Sequence, residues 1–273
     1  MELLVFDLDG TLLNSQQCIS EYTRETLALL RKRNIAYTVA TGRTIHAARH
    51  AMGDADFPLL HVYNNGVAIW DPASTDYLHH NHLTRHEIEV VLNAFKGKTL
   101  TPFVFVLEPD GGHSVYHAPP VNDVCRYYVS LCEAKESIVT KPLSSLPTQA
   151  EITNINALGS QEDISAICDA IQDEDHLVVF TGSDMYKDDF HWLDVHHSAS
   201  SKGGAVETLK EVLGYDRVIC FGDSDNDISM FEVADEAYAT ANALDELKAM
   251  STEVIGHHDE DGVARFLRKY YQL

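Results

Sequence analysis

The stretch MELLVFDLDGTLL, residues 1–13, joins a short apolar run to two aspartates one residue apart. Leu3 to Phe6 have the character of a strand, and Asp7 and Asp9 follow where that strand would leave a sheet. Turn chemistry alone is one explanation, because Asp and Gly favour turns after strands. The other explanation is functional. The period of two in an extended chain puts both carboxylates on one side, where they are costly unless a cation or a proton accompanies them.

The composition is that of a soluble globular protein, with 45% hydrophobic and 23% charged residues among 273. The net charge of −22 argues against nucleic-acid binding, which needs clustered positive charge. Five cysteines without a C-x-x-C pair indicate reduced thiols, and no apolar run is long enough to span a membrane. We therefore expect a cytoplasmic protein without a membrane role, either a monomer or a weak homo-oligomer.

Strand and helix candidates alternate from residue 1 to about 62, and they alternate again over the last third of the chain. This alternation predicts an α/β fold with a doubly wound parallel sheet. The middle of the chain differs, because its strand candidates show the polar alternation of an antiparallel sheet. We expect a catalytic core formed by residues 1–81 and 190–273, with an inserted α+β domain at 82–189.

Two further stretches place polar groups beside helix starts. In VATGR, Thr41 and Gly42 follow a strand candidate, where a hydroxyl and free amides would suit a phosphate oxygen. A helix N-cap explains the threonine equally well. In SASSKGG, residues 198–204, Lys202 begins a predicted helix, where the helix dipole disfavours a cation. A functional lysine is one interpretation, and an exposed loop lysine is the other.

The stretch CFGDSDND, residues 220–227, ends an apolar strand candidate in a cluster of oxygen ligands. A calcium loop of the EF-hand type is excluded, because the later Gly and Glu are missing. Oxygen ligands at a strand end suit a hard cation such as Mg2+. In open α/β sheets the binding crevice lies outside the carboxyl ends of the strands. If these strands are neighbours, one crevice collects Asp7, Asp9, Thr41, Lys202, Asp223 and Asp227.

The motifs together resemble a known superfamily. DLDGT at 7–11, Thr41, Lys202 in SKGG and GDSDND at 222–227 are similar, in order, to the four motifs of the haloacid dehalogenase (HAD) superfamily of phosphotransferases. The insert is similar to the α/β cap, type C2, of the Cof-type branch. The resemblance implies a Rossmann-like core and a Mg2+-dependent phosphomonoester hydrolase. Its substrate would be a small phosphorylated metabolite, such as a sugar phosphate, a nucleotide or a cofactor phosphate.

The resemblance also implies roles for individual residues. Asp7 would be the nucleophile that forms an aspartyl-phosphate, and Asp9 would be the general acid and then the base. Mg2+ would bind the carboxylates of Asp7 and Asp223 and the backbone carbonyl of Asp9, with Asp227 in support. The expected phosphate-binding groups are the amides of Leu8 and Gly42 and the side chains of Thr41, Lys202 and Asn226, with Arg43 as a further candidate.

Two other functions compete with the phosphatase. A phosphomutase of the same superfamily usually carries phosphate-clamping arginines in its cap, and this insert has only Arg85 and Arg126. A non-catalytic sugar-phosphate sensor would not need Asp9, because a second carboxylate beside a phosphate is unfavourable unless it handles protons. The substrate is not encoded in any motif. Asp184, Tyr186 and Lys187 are candidates for substrate contacts from a loop of the insert.

Overall fold

The computed structural model describes residues 1–108, 112–134, 138–183 and 190–273. The chain separates into two compact units. Unit 1 consists of Met1–His80 and Ser200–Leu273, and unit 2 consists of Asn81–Ala199. None of the helices in the described part of the chain is long and apolar enough to cross a membrane.

The strands are numbered along the whole chain. They are β1 (Glu2–Phe6), β2 (Ala36–Val39), β3 (His61–Tyr63), β4 (Ala68–Asp71), β5 (Asp76–His80), β6 (Phe103–Leu107), β7 (His113–His117), β8 (Ile138–Pro142), β9 (Glu151–Gly159), β10 (Leu177–Ser183), β11 (His191–His197), β12 (Arg217–Gly222), β13 (Glu236–Ala239) and β14 (Glu253–Val254).

The helices are numbered in the same way. They are α1 (Glu21–Lys32), α2 (Ile45–Met52), α3 (Arg85–Ala94), α4 (Asp123–Glu133), α5 (Gln161–Ile171), α6 (Lys202–Leu213), α7 (Ile228–Val233), α8 (Asp245–Met250) and α9 (Gly262–Tyr270).

Unit 1 contains the predicted doubly wound parallel sheet, with the strand order β14-β13-β12-β1-β2. Successive residues of β1 point to opposite faces: Leu4 and Phe6 pack in one apolar cluster with α1 and α9, and Leu3 and Val5 pack in another with α6 and α7. Helices therefore cover both faces, which explains why β1 is an uninterrupted apolar run. The strand order turns back beside β1, the position at which such sheets bind ligands.

A second sheet of unit 1 has the antiparallel order β3-β4-β5. It meets the parallel sheet through a parallel bridge between Ala40 and Val62. This bridge places the chain segment that follows β3 near the carboxyl ends of β1 and β2.

The helices of unit 1 begin at capping residues. Helix α1, for example, begins after Ser20, whose side chain accepts a hydrogen bond from the amide of Thr23.

Unit 2 contains a six-stranded mixed sheet with the order β10-β11-β9-β6-β7-β8. Helices α3 and α5 contribute to the apolar cluster on one face. Helix α4, which the sequence reading did not identify, packs against β8 and β9. The boundary expected near residue 190 lies at Ala199 in the structure, because β11 pairs along its length with β9 and β10 of unit 2.

Candidate active site

The carboxyl end of β1 positions Asp7 and the turn after it. The amide of Asp7 donates a 3.0 Å hydrogen bond to the carbonyl of Phe221, which extends the pairing with β12 by one residue. The chain then turns at Gly10, where φ is +67° and a Cβ atom would lie 2.2 Å from Oδ2 of Asp223. The hydroxyl of Thr11 donates a 3.2 Å hydrogen bond to Oδ1 of the same aspartate. Glycine at position 10 therefore allows the backbone after β1 to lie against Asp223.

Lys202 lies between two carboxylates in the interior of unit 1. Its Nζ donates hydrogen bonds of 2.6 Å to Oδ1 of Asp7 and 2.6 Å to Oδ1 of Asp227. Its side chain is fully buried. Burial alone would lower the pKa of Lys202, but the charges of Asp227 and Asp7 outweigh it and raise the pKa above its ordinary value. Lys202 is therefore a buried cation, and the exposed-loop interpretation is wrong.

Asp227 uses both of its carboxylate oxygens within unit 1. Oδ1 accepts from Lys202, and Oδ2 accepts from the amides of Asp223 (2.8 Å) and Ser224 (3.1 Å). These bonds orient Asp227 and tie the loop after β12 to helix α6. An aspartate with both oxygens engaged in this way suits the supporting position expected for it.

Three carboxylates share this small volume. One oxygen each of Asp7, Asp223 and Asp227 lies within 4.8 Å of the others. Burial is the main reason that the pKa of Asp7 lies well above its ordinary value, with the charges of Asp227 and Asp223 adding to the effect and Lys202 opposing it. Burial, followed by the charge of Asp227, raises the pKa of Asp223 to about 7. The single ammonium of Lys202 does not balance three negative charges.

The donor set fits a hard divalent cation. Within the described part of the chain, no hydrogen-bond donor contacts Oδ2 of Asp7 or Oδ2 of Asp223. The ligand atoms on offer are carboxylate oxygens, which Mg2+ prefers together with water and phosphate oxygens. A cation at these two oxygens would also supply the positive charge that the cluster lacks.

The segment after β2 presents groups suited to a phosphate. Thr41 is fully buried, and its Oγ1 accepts a 3.1 Å hydrogen bond from the amide of Arg43, so its hydroxyl proton stays available to donate. Among the described residues, no acceptor is found for the amides of Leu8 and Gly42. Leu8 is fully buried, and an unpaired buried amide is costly unless a ligand satisfies it.

Asn226 is held by a residue that the sequence reading did not place in the site. Its Nδ2 donates a 3.0 Å hydrogen bond to Oδ1 of Asn65. Asn65 lies in the turn after β3 with a φ of +54°, and a Cβ atom on Gly42 would lie 2.9 Å from its Oδ1. The sequence feature that could have pointed to Asn65 is the turn YNNG, residues 63–66, because asparagine tolerates the positive φ that such a turn needs.

Asp9 and Arg43 form a separate pair. The guanidinium donates from Nε to Oδ2 of Asp9 at 2.7 Å and from Nη2 to Oδ1 at 2.6 Å, and it also contacts Gln17. Asp9 is half-exposed, and its hydrogen bond to Arg43 is the main cause of a raised pKa for the guanidinium. Arg43, expected as a phosphate ligand, thus binds Asp9 in this structure.

The structure brings Asp7, Asp223, Asp227 and Lys202 into one cluster and joins Asp9 to Arg43. The proposed loop contacts Asp184, Tyr186 and Lys187 lie outside the described residues.

Comparison with known proteins adds independent information. The family model described as haloacid dehalogenase-like hydrolase matches residues 4–267. The chain is 25% identical to the 5-amino-6-(5-phospho-D-ribitylamino)uracil phosphatase of Bacillus subtilis (strain 168), with 99% of this chain and 98% of the relative covered. It is 27% identical to the HMP-PP phosphatase of Klebsiella pneumoniae (strain 342), with 97% and 94% covered. A solved haloacid dehalogenase-like hydrolase from B. subtilis matches the fold with a TM-score of 0.80 and 22% identity, covering 98% of this chain and 99% of that one.

Proposed function

This chain belongs to the haloacid dehalogenase-like hydrolases, and from that premise we propose that it is a Mg2+-dependent phosphatase that cleaves phosphomonoesters of small metabolites through an aspartyl-phosphate on Asp7. The phosphatases among its relatives support the reaction class. Unit 1 supplies the catalytic core and unit 2 the cap in this proposal.

The observation that carries the proposal is the position of Asp7 between Lys202 and Asp223. Lys202 holds one carboxylate oxygen of Asp7 at 2.6 Å, while the other has no donor among the described residues. An oriented carboxylate of this kind is a nucleophile that needs no separate base once its charge is balanced. Mg2+ bound by Asp7, Asp223 and the carbonyl of Asp9 would offset the negative charge that otherwise separates the carboxylate from a phosphoryl group.

In the first step, a carboxylate oxygen of Asp7 attacks phosphorus, and the bond from phosphorus to the leaving oxygen breaks. Asp9 gives its proton to that leaving oxygen. An Asp9 that donates a proton cannot also accept two hydrogen bonds from Arg43, so the pair must open when substrate binds. The phosphoryl oxygens are held by the side chains of Thr41, Lys202 and Asn226 and by the backbone amides of Leu8 and Gly42.

In the second step, water attacks phosphorus and gives a proton to the Asp9 carboxylate. The bond from phosphorus to Asp7 breaks, which releases inorganic phosphate and restores the Asp7 carboxylate. Lys202 keeps Asp7 in one orientation through both steps, since its hydrogen bond fixes Oδ1 of Asp7, and Asp227 holds Lys202 in place by accepting a second hydrogen bond from the same ammonium.

The proposal is tested by phosphate release from a panel of phosphomonoesters, first with Mg2+ and then with EDTA. The native chain is compared with Asp7→Asn and with Asp54→Asn, a control at an exposed aspartate of unit 1. Release that needs Mg2+, disappears in Asp7→Asn and persists in Asp54→Asn supports the proposal. A native chain that binds phosphate esters but releases no phosphate from any of them would contradict it.

A further inference from the structure

We propose that His257, His258 and Asp259 form a second metal site in unit 1, which binds a divalent transition metal ion such as Zn2+. We call these three residues the histidine site. They lie in the segment between β14 and α9, where the two histidines are partly exposed and the aspartate is exposed, so an ion can reach them from solvent. The site is separate from the carboxylate cluster of Asp7, and the inference does not rest on the proposed phosphatase function.

The three side chains offer their ligand atoms to one small volume. One ligand atom of each residue lies within 4.8 Å of the others. The imidazole rings of His257 and His258 have their centroids 4.7 Å apart, and Nε2 of His258 lies 3.8 Å from Oδ2 of Asp259. Zn2+ binds nitrogen and oxygen ligands at about 2.0–2.2 Å, so small side-chain rotations bring all three donors to one ion.

A backbone carbonyl sets the tautomer of His258. Nδ1 of this ring lies 2.8 Å from the carbonyl oxygen of Leu13. A carbonyl can only accept a hydrogen bond, so Nδ1 carries the ring proton and Nε2 of the neutral imidazole keeps its lone pair. In protein metal sites a ligating histidine commonly donates its other N–H to a carbonyl in this way. His258 is therefore prepared to bind a metal ion through Nε2.

Ser15 orients the carboxylate of Asp259. The amide of Ser15 donates a 2.7 Å hydrogen bond to Oδ1, and its hydroxyl donates to Oδ2. Each carboxylate oxygen keeps a further lone pair that can bind an ion. In the described part of the chain, no lysine or arginine forms an ion pair with Asp259, and the ion pair that it does form is with His258. Its negative charge is therefore available to a cation.

His257 supplies the third ligand atom and gives up one weak hydrogen bond. Its Nδ1 accepts a 3.2 Å hydrogen bond from the amide of Asp259, so the lone pair of Nδ1 faces the short turn that His258 begins. A bond of this length is at the long end of the usual range. An ion bound to Nδ1 replaces it, and the amide of the exposed Asp259 can then pair with water.

The donor atoms favour a transition metal over Mg2+. Two imidazole nitrogens and one carboxylate oxygen suit Zn2+, Ni2+ or Cu2+, whereas Mg2+ prefers oxygen ligands and keeps several waters. The cluster of Asp7, Asp223 and Asp227 offers carboxylate oxygens alone. The two sites of unit 1 therefore select different ions. Three protein ligands at the histidine site leave the fourth position of a tetrahedral Zn2+ ion to water.

Hydrogen bonds connect the histidine site to the turn after β1. The amide of His258 donates to Oδ1 of Asn242 at 3.2 Å, and Nδ2 of Asn242 donates to the carbonyl of Gly10 at 2.8 Å. The same segment contacts His258 again through the carbonyl of Leu13. An ion at the histidine site would thus join the start of α9 to the segment that carries Gly10, and its binding should stabilise the folded chain.

The test measures Zn2+ binding by calorimetry in the presence of saturating Mg2+ and a reductant that does not bind metals. Co2+ is a second probe, because its visible spectrum changes when imidazole coordinates it. The variants are His257→Gln, His258→Gln and Ser15→Ala. One control is His50→Gln, which changes an exposed histidine of unit 1, and the other is Asp223→Asn, which alters the carboxylate cluster. Circular dichroism confirms that each variant is folded.

We expect the native chain to bind one equivalent of Zn2+ more tightly than any other. His257→Gln and His258→Gln should each raise the Kd of this equivalent by at least about tenfold, because loss of even an outer partner of a ligand weakens metal binding by about 10–100-fold. Ser15→Ala should raise it by about tenfold for the same reason. Both controls should keep the native Kd. Zn2+ should raise the Tm of the native chain but not that of His258→Gln.

The inference is overturned if the native chain binds no Zn2+ under these conditions, or if both histidine variants bind it as tightly as the native chain. Loss of the tight equivalent in His50→Gln or in Asp223→Asn would place the ion elsewhere and would overturn it as well. His257→Gln provides the same decision should His258→Gln not fold. None of these measurements depends on turnover, so their outcome leaves the proposed phosphatase function to its own test.

Discussion

The ammonium of Lys202 donates a 2.6 Å hydrogen bond to the carboxylate of Asp7, and both side chains are buried in unit 1. The two residues are far apart in sequence, and they meet because β1 lies beside β12 and because α6 begins next to the carboxyl end of that strand pair. Lys202 thereby serves two purposes in the proposed mechanism. It orients the nucleophile, and it balances part of a negative cluster that would otherwise oppose folding.

Loss of the Lys202 ammonium should destabilise the chain strongly. Lys202→Met leaves two buried carboxylates without their cation and should lower the free energy of unfolding by about 3–5 kcal/mol. The matched control is Lys210→Met on the same helix, where a partly exposed pair with Asp235 is worth less than about 1 kcal/mol. Urea denaturation without Mg2+ measures both. Equal losses in the two variants would show that Lys202 is not the cation that the cluster requires.

Mg2+ binding should weaken as the pH falls. The pKa of Asp223 is raised from 3.8 to about 7 in the folded chain, so this carboxyl binds its proton more tightly when folded than when unfolded. Its contribution to stability without Mg2+ therefore decreases as the pH rises from about 4 to about 7. Below about 7, Mg2+ must displace the proton, which costs affinity.

The corresponding measurement is the rise in Tm on adding Mg2+. The rise should be larger at about pH 8 than at about pH 6, because Asp223 is ionised at the higher value. In Asp223→Asn the rise should be small at both pH values. An equal rise at both in the native chain would mean that protonation of this carboxyl does not compete with the ion.

Replacement of Gly10 should lower activity through steric contact with Asp223 and not through the positive φ at this position. Gly10 and Gly214 have similar φ values of +67° and +72°, but a Cβ atom at 10 would lie 2.2 Å from Asp223, and one at 214 would meet nothing within 4 Å. Gly10→Ala and Gly214→Ala should therefore share a backbone cost of about 1–2 kcal/mol. Only Gly10→Ala should also lower kcat/KM, by about tenfold to a hundredfold, because it displaces a catalytic carboxylate. Comparable kcat/KM values in the two alanine variants would contradict this role for the contact between Gly10 and Asp223.

The convergence of the cluster was predictable from sequence. In a parallel sheet the carboxyl ends of neighbouring strands lie on one edge, and polar residues directly after apolar runs mark those ends. Asp7 follows β1, and Asp223 follows β12. The doubly wound fold was predictable for the same reason, because both faces of β1 are apolar and must be covered.

Contacts that depend on side-chain direction were not predictable. The pairing of Arg43 with Asp9 depends on the rotamers of two flexible side chains from different loops, and no local pattern encodes it. The bond between Asn226 and Asn65 likewise joins two loops that are distant in sequence. Helix α4 is different, because the capping residue Asn122 and the helical spacing of the apolar residues after it are sequence signals that predict a helix at this position.

The boundary between the two units at Ala199 could not be predicted from the sequence, because it depends on which strands β11 pairs with. The segment HWLDVHH is an apolar and polar alternation that leads directly into the loop of Lys202, so the sequence associates it with unit 1. Its hydrogen bonds go instead to β9 and β10. Periodicity identifies a strand but does not identify its partners.

The most direct test of the proposed mechanism is to locate the phosphoryl group during turnover. The chain is mixed with its best substrate and Mg2+, quenched in acid within one turnover, digested and examined by mass spectrometry. Asp9→Asn serves as a second sample, because loss of the base for the second step should prolong the intermediate. The mechanism predicts one phosphoryl group on the peptide that contains Asp7, and none in Asp7→Asn. The mechanism would be contradicted by a phosphoryl group on another residue. It would also be contradicted by turnover without any phosphorylated peptide in either sample.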